Sequence, residues 1–280
     1  MAILNPSEAK HFAGGLGSVA VPPASFRNWL NDPSLPKYFQ EGTANFDIYR
    51  ELSLREVERL LLLSSSNYRR SYDLFGEASA SWAFVTLYYG AYYAASALLG
   101  MFGAWKMRAA PKLIEPVATA TGTQRFEVVS RPSSYKGSHQ QFWEFFYHNA
   151  KFLKPYVGSK YHFALSPISG DITWPIRNRN DVNYDSFSAL QLTSAHKLTF
   201  DAATFPASLP GVVSTQFRFL ENLLAAAGNC AQSVGIETSA LSGVSSQATR
   251  VERIEQLVLS DCPPKLGNRV KRRIARTAGD

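Results

Sequence analysis

A chain of 280 residues, 45% of them hydrophobic, carries enough apolar surface to bury a large core, which excludes disorder throughout. The formal charge of +7 points to an acidic partner, but it is unevenly placed: from Cys262 to Asp280 six basic side chains stand against one acid, leaving +2 for everything before them. Two cysteines, Cys230 and Cys262, are too few for a disulfide framework, and Met1 to Pro23 lack the basic start and apolar run of a secretory signal, so a reducing, cytoplasmic setting is expected.

Up to about Thr43 the chain is punctuated by Pro and Gly, which predicts an irregular extension over residues 1–50. It holds at most one short helix and is pinned to the body by Phe26, Trp29, Tyr38 and Phe39. Ser53 with Glu56 three residues on reads as a capping box opening a helix through Leu60 to Leu63 and on towards Leu74. From Ala78 to Trp105 there is no charged residue, a run long enough to cross a bilayer. Its tyrosines (Tyr88, Tyr89, Tyr92, Tyr93) lie in the middle rather than at the ends, where membrane aromatics sit. Basic residues flank both sides. A core helix from Ala78 to Phe102, sheathed by other helices, is therefore favoured over a membrane span.

Between Met107 and Lys136 the prolines and the β-prone run Phe126 to Val129 predict a loop or short hairpin. Ser138 caps a third helix through Phe142, Trp143, Phe145 and Phe146, ending before Pro155. Pro175 opens a fourth, carrying Tyr184, Phe187 and Leu190. Gly211 precedes a fifth, with Val213, Phe217, Leu220, Leu224 and Ala227 recurring every three or four residues. Residues 235–280 read as a Ser/Gly linker, a short helix and a basic tail. The fold class is mainly α.

Two motifs carry a family resemblance. Tyr88 to Leu99, Tyr-Tyr-Gly-Ala-Tyr-Tyr-Ala-Ala-Ser-Ala-Leu-Leu, resembles the second helix of HEPN-superfamily domains, whose small prokaryotic branch has the pattern YYAxFxAAxALL. Arg179-Asn180-Asp181-Val182-Asn183-Tyr184-Asp185 resembles the RxxADYD that opens a later helix in that branch. The resemblance spans roughly Leu54 to Phe200. It implies an antiparallel up-and-down helical bundle, placed here in 51–234 together with the fifth helix, commonly dimeric. In many members it implies metal-independent RNA cleavage in toxin-antitoxin or phage-defence systems. Active members use an Arg followed four to six residues later by His, often RNxxxHxY. Here Arg177 and Asn178 fit that register and Tyr184 matches the final Tyr, but Val182 stands where His belongs.

That departure matters, because attack by a 2′-hydroxyl needs a group titrating near neutrality and a cation to steady the phosphorane. Valine supplies neither, and Tyr184, in the register of Arg179, has an ordinary pKa of about 10. A noncatalytic protein binding RNA, a nucleotide or a protein partner, in a bacterial defence or toxin-antitoxin type system, is thus expected ahead of an altered ribonuclease or a structural adaptor that docks through its extension. The candidate catalytic residues are Arg177, Arg179 and Tyr184.

Arg177, Asn178 and Arg179 are candidates for phosphate contact at a helix start, against a capped helix with solvated arginines. In the tail Lys265, Arg269, Lys271, Arg272, Arg273 and Arg276 offer nonspecific phosphate affinity or simple solvation. The tyrosines and tryptophans are stacking platforms or, at helical spacing, core. His139 and His148 fall on opposite faces of one helix and cannot share a metal. Gly14 to Ser18 lacks the lysine and preceding strand of a phosphate loop. No cofactor or metal is expected.

Overall fold

The computed structural model describes residues 3–15, 26–30, 32–76, 79–107, 112–119, 122–157, 159–184 and 211–235. Two helices dominate. α3 (Ala44–Gly76) runs for 33 residues, about 50 Å at the α-helical rise, and α4 (Ala80–Met101) follows, with Ser79 N donating to Leu74 O at 2.8 Å. Their pairing is antiparallel, as contacts along the length show: Tyr49 donates its hydroxyl to Gly103 O at 2.8 Å, and Ser64 donates to Gly90 O at 2.8 Å. Gly90 permits the close approach, since a Cβ there would press on Leu220 and on Asn67. α4 is buried along most of its length, which accounts for its charge-free sequence. Among the described residues no helix is long and apolar enough to cross a membrane.

The start of α3 departs from the expectation. Thr43 caps it, its Oγ1 accepting from Phe46 N at 3.3 Å, and Ser53 lies inside the helix, fully buried. The Ser53 oxygen accepts from Trp105 Nε1 at 2.6 Å instead. A Ser-x-x-Glu pattern marks a helix start only when the serine oxygen is not already engaged by a tertiary donor. A boundary at residue 50 therefore runs through a continuous helix.

Residues before α3 also carry more structure than expected: α1 (Pro6–Gly14), opened by a capping box between Asn5 and Glu8, α2 (Phe26–Leu30) and strand β1 (Tyr38–Gln40). Further along come β2 (Trp105–Lys106), β3 (Lys112–Val117) and β4 (Arg125–Ser130). These form one antiparallel sheet in the order β1-β4-β3-β2. The β3–β4 hairpin matches the break read between Met107 and Lys136, whereas β1 and β2 are too short to announce themselves. Phe12, Phe39 and Phe126 pack around Tyr49, with Phe39 stacked on Tyr49 at 4.8 Å, so the described part of the N-terminal segment contributes to the core. Gly103, at φ +72°, turns the chain from α4 into β2 where a Cβ would collide with the Phe126 ring.

α5 (Ser138–Ala150) has Gly137 at its N-cap and no side-chain capping bond, so Ser138 is its first residue and not its cap. Two 3-10 segments, Lys154–Tyr156 and Ser159–Leu165, lead to α6 (Trp174–Tyr184). α7 (Gly211–Val234) lays its apolar stripe on α3 and α4. Phe217 meets Tyr68 and Phe75, and Phe219 meets Trp143 and Trp174. Cys230 is buried in α7 and its thiol is pushed up to about 12 by burial, which removes it as a nucleophile. Among the described residues the molecule is thus mostly helical, with seven α-helices and a small four-stranded sheet.

Candidate functional site

α4, α5 and α6 converge on a cluster of tyrosines. α6 packs against α4 and places Arg179 across it: Nη2 donates to Tyr89 Oη at 3.1 Å, and the guanidinium lies 5.6 Å from the Tyr88 ring centre and 5.7 Å from that of Tyr89. Its Nη1 donates to Asn180 Oδ1 at 2.7 Å. A guanidinium held by tyrosine faces is stabilised by their quadrupoles and fixed in direction.

From α5, His139 enters the same cluster. Its ring lies 4.9 Å from that of Tyr92 and 6.1 Å from that of Tyr89, and its Nδ1 is 2.7 Å from Tyr88 Oη. The tautomer follows from the neighbours. Trp143 Nε1 donates to Tyr88 Oη at 3.4 Å, and burial pushes the Tyr88 phenol well above its ordinary range, so Tyr88 is a protonated donor whose hydrogen goes to His139 Nδ1. Burial first, and the charge of Arg179 second, hold the His139 imidazole below its usual range. The ring is neutral at pH 7, with its proton on Nε2.

That state limits its chemistry. A neutral imidazole with Nδ1 accepting and Nε2 protonated offers no lone pair for a base, and as an acid it is far too weak near neutrality. The seam can donate hydrogen bonds and hold an anion near a fixed guanidinium. A proton transfer through it would need a shift of tautomer by way of Tyr88.

The other predicted residues part company. Arg177 lies two positions from Arg179 and therefore points to a different face of α6. It is exposed and forms an ion pair with Asp171 Oδ2 at 2.8 Å. Asp171 Oδ1 also accepts from Thr173 N at 2.8 Å and from Thr173 Oγ1 at 2.7 Å, so a carboxylate already occupies the start of α6 where a phosphate was expected. Asn178 is half-buried, and its Nδ2 meets no acceptor. Tyr184 closes α6, while its side chain and that of Val182 lie outside the described residues, as do Lys265, Arg269, Lys271, Arg272, Arg273 and Arg276 in the tail. His148 is exposed and His139 half-buried, in keeping with their opposite faces. Among the described residues no three His, Cys, Asp or Glu side chains gather as metal ligands.

Sequence reasoning singled out Arg179 and missed the partners that give it meaning. His139 and Tyr88 are separated by 51 positions, so no local pattern links them. The pairing of a histidine beside an aromatic stripe on one helix with a tyrosine-rich core helix was the available signal. No family model, no curated protein and no solved structure matches the chain.

Proposed function

We propose that this is a HEPN-like helical-bundle protein of a bacterial defence or toxin-antitoxin type system that binds single-stranded RNA without cutting it. Arg179, Tyr89 and His139 form the contact face, and the basic tail adds nonspecific phosphate affinity. One observation carries the reading: the two sequence motifs that resemble the family, on α4 and α6, meet in space through the Arg179–Tyr89 contact. The neutral, Nε2-protonated His139 favours binding over catalysis. A fixed cation beside half-buried tyrosines suits a phosphate flanked by a stackable base.

The test is a titration with single-stranded RNA across salt. Arg179→Gln should weaken binding about tenfold and lower the salt slope by about 0.7, the value for one phosphate on a single strand. Removing the residues after Cys262 should lower the slope further. Affinity and slope unchanged by both would end the reading.

A metal-independent ribonuclease is the second reading, and it is favoured by the Arg–His juxtaposition that the sequence spacing lacks. Cleavage of RNA in chelator by the parent protein, abolished in Arg179→Ala and in His139→Ala, would establish it, and an inert parent protein would dismiss it. A structural adaptor is a third reading with less to support it, because the described residues before α3 pack into the protein's own core and sheet. A homodimer or protein partner remains a proposal, measured by mass in solution.

A further inference from the structure

Beside the Arg179 seam lies an open cleft of about 430 Å³. Its walls come from α2, α3, α4, α5 and β2, so it includes residues outside the stretch that resembles the HEPN family. Two ring pairs line it: Phe26 against Trp105, edge to face with centres 4.8 Å apart, and Tyr92 against Phe142 at 4.4 Å. Leu60 and Leu99 also line it. Flat aromatic walls of this kind favour a flat aromatic guest over an aliphatic chain.

The polar groups of the cleft are unevenly balanced. Arg59 and Glu56 satisfy each other through two hydrogen bonds, at 2.6 and 2.5 Å. Lys106 has no such partner: its ammonium donates to the Met107 carbonyl at 2.8 Å, and no carboxylate among the described residues pairs with it. It is half-buried, and burial lowers its pKa. A partly desolvated cation without a counter-charge is stabilised by any anion that reaches it. The anion would sit at the Lys106 end, because Glu56 repels it from the Arg59 end.

We propose that this cleft binds a small planar aromatic anion, its ring between the Phe26–Trp105 and Tyr92–Phe142 pairs and its phosphate or carboxylate on Lys106. The site shares His139 and Tyr92 with the Arg179 seam and does not rest on RNA binding there.

The experiment is calorimetric titration of the full chain with adenosine 5′-monophosphate, with indole-3-acetate and with adenosine. Binding of either anion, at least tenfold tighter than adenosine and weakened at least tenfold by Lys106→Gln, supports the proposal, tenfold being the least expected from one charge-assisted hydrogen bond. Which anion binds tells phosphate from carboxylate as the natural group. Lys106→Arg keeps the charge and should retain affinity within about threefold, which separates loss of the cation from damage to the fold. Arg179→Gln should leave the cleft's affinity within about twofold while it weakens RNA, so the two sites fail separately. The proposal is overturned if neither anion binds, if adenosine binds as tightly as its phosphate, or if Lys106→Gln binds as tightly as the parent.

Discussion

The molecule contains two aromatic clusters of similar composition that do opposite things. Around Tyr49, the rings of Phe12, Phe39, Phe46 and Phe126 are fully buried and the one hydroxyl is satisfied by a backbone carbonyl. Around Tyr88, the rings of Tyr89 and Tyr92 stay partly open, and a guanidinium and an imidazole are threaded between them. In the first, aromatic surface joins the N-terminal segment and the sheet to α3. In the second, the same surface fixes the direction and protonation of groups that face outward. Aromatic content alone therefore does not mark a site; a titratable or charged group held by the rings and reachable from solvent does.

Phe39 is fully buried against Tyr49, Trp29 and the sheet, so Phe39→Ala should destabilise the fold by about 3–5 kcal/mol through lost burial and a cavity, read as a shift of the denaturation midpoint with the slope unchanged. A loss below about 1 kcal/mol would mean that the N-terminal segment is not part of the cooperative core. Tyr49→Phe keeps the ring and removes the bond to Gly103 O, leaving a buried carbonyl unpaired, at about 1–3 kcal/mol. Tyr88→Phe should cost no more than this, but it should also free His139 Nδ1 and change the imidazole NMR titration, which Tyr49→Phe should leave untouched.

The same contrast explains what was legible in advance. Helices whose burial is all-round or one-sided announced themselves: the charge-free run became α4, and the stripe from Phe217 to Ala227 became α7. The hairpin was legible because prolines and β-branched residues bracket it. What stayed hidden was set by long-range partners. Ser53 looked like a cap because nothing near it in the chain reveals Trp105, and β1 is three residues long, so it exists as a strand only because β4 supplies its ladder. Of the candidate site, Arg179 was legible through its motif, while His139 was not, since its neutral state depends on α4, on α6 and on burial.

A smaller effect sharpens the second cluster through pH. His139 has its folded pKa depressed below the ordinary value of 6.5, so the unfolded chain takes up a proton there before the folded one does. Its contribution to stability is complete above the unfolded pKa and is lost as pH falls from there through the folded value. His139→Phe, which keeps a ring but cannot titrate, should lose less stability between pH 7 and pH 5 than the parent protein, measured by denaturant unfolding at each pH. An identical loss in both would show that the imidazole is not held neutral by burial and Arg179.

The smallest effect tests where the second cluster ends. Trp82, in the first turn of the largely buried α4, is 65% exposed, and further along the helix Thr86, Tyr89 and Tyr93 are half-buried at matching spacing, so one stripe of the core helix faces outward. An exposed side chain with little packing contributes little, and Trp82→Ala should change stability by no more than about 0.5 kcal/mol. Tyr89 sits two turns further along the same stripe, where Arg179 covers it. Its replacement by Phe should leave stability close to that of the parent, yet weaken RNA by removing the hydroxyl that orients the guanidinium. If Trp82→Ala also weakens RNA while stability holds, the contact face extends along the whole stripe; if only Tyr89→Phe does, it ends where α6 crosses.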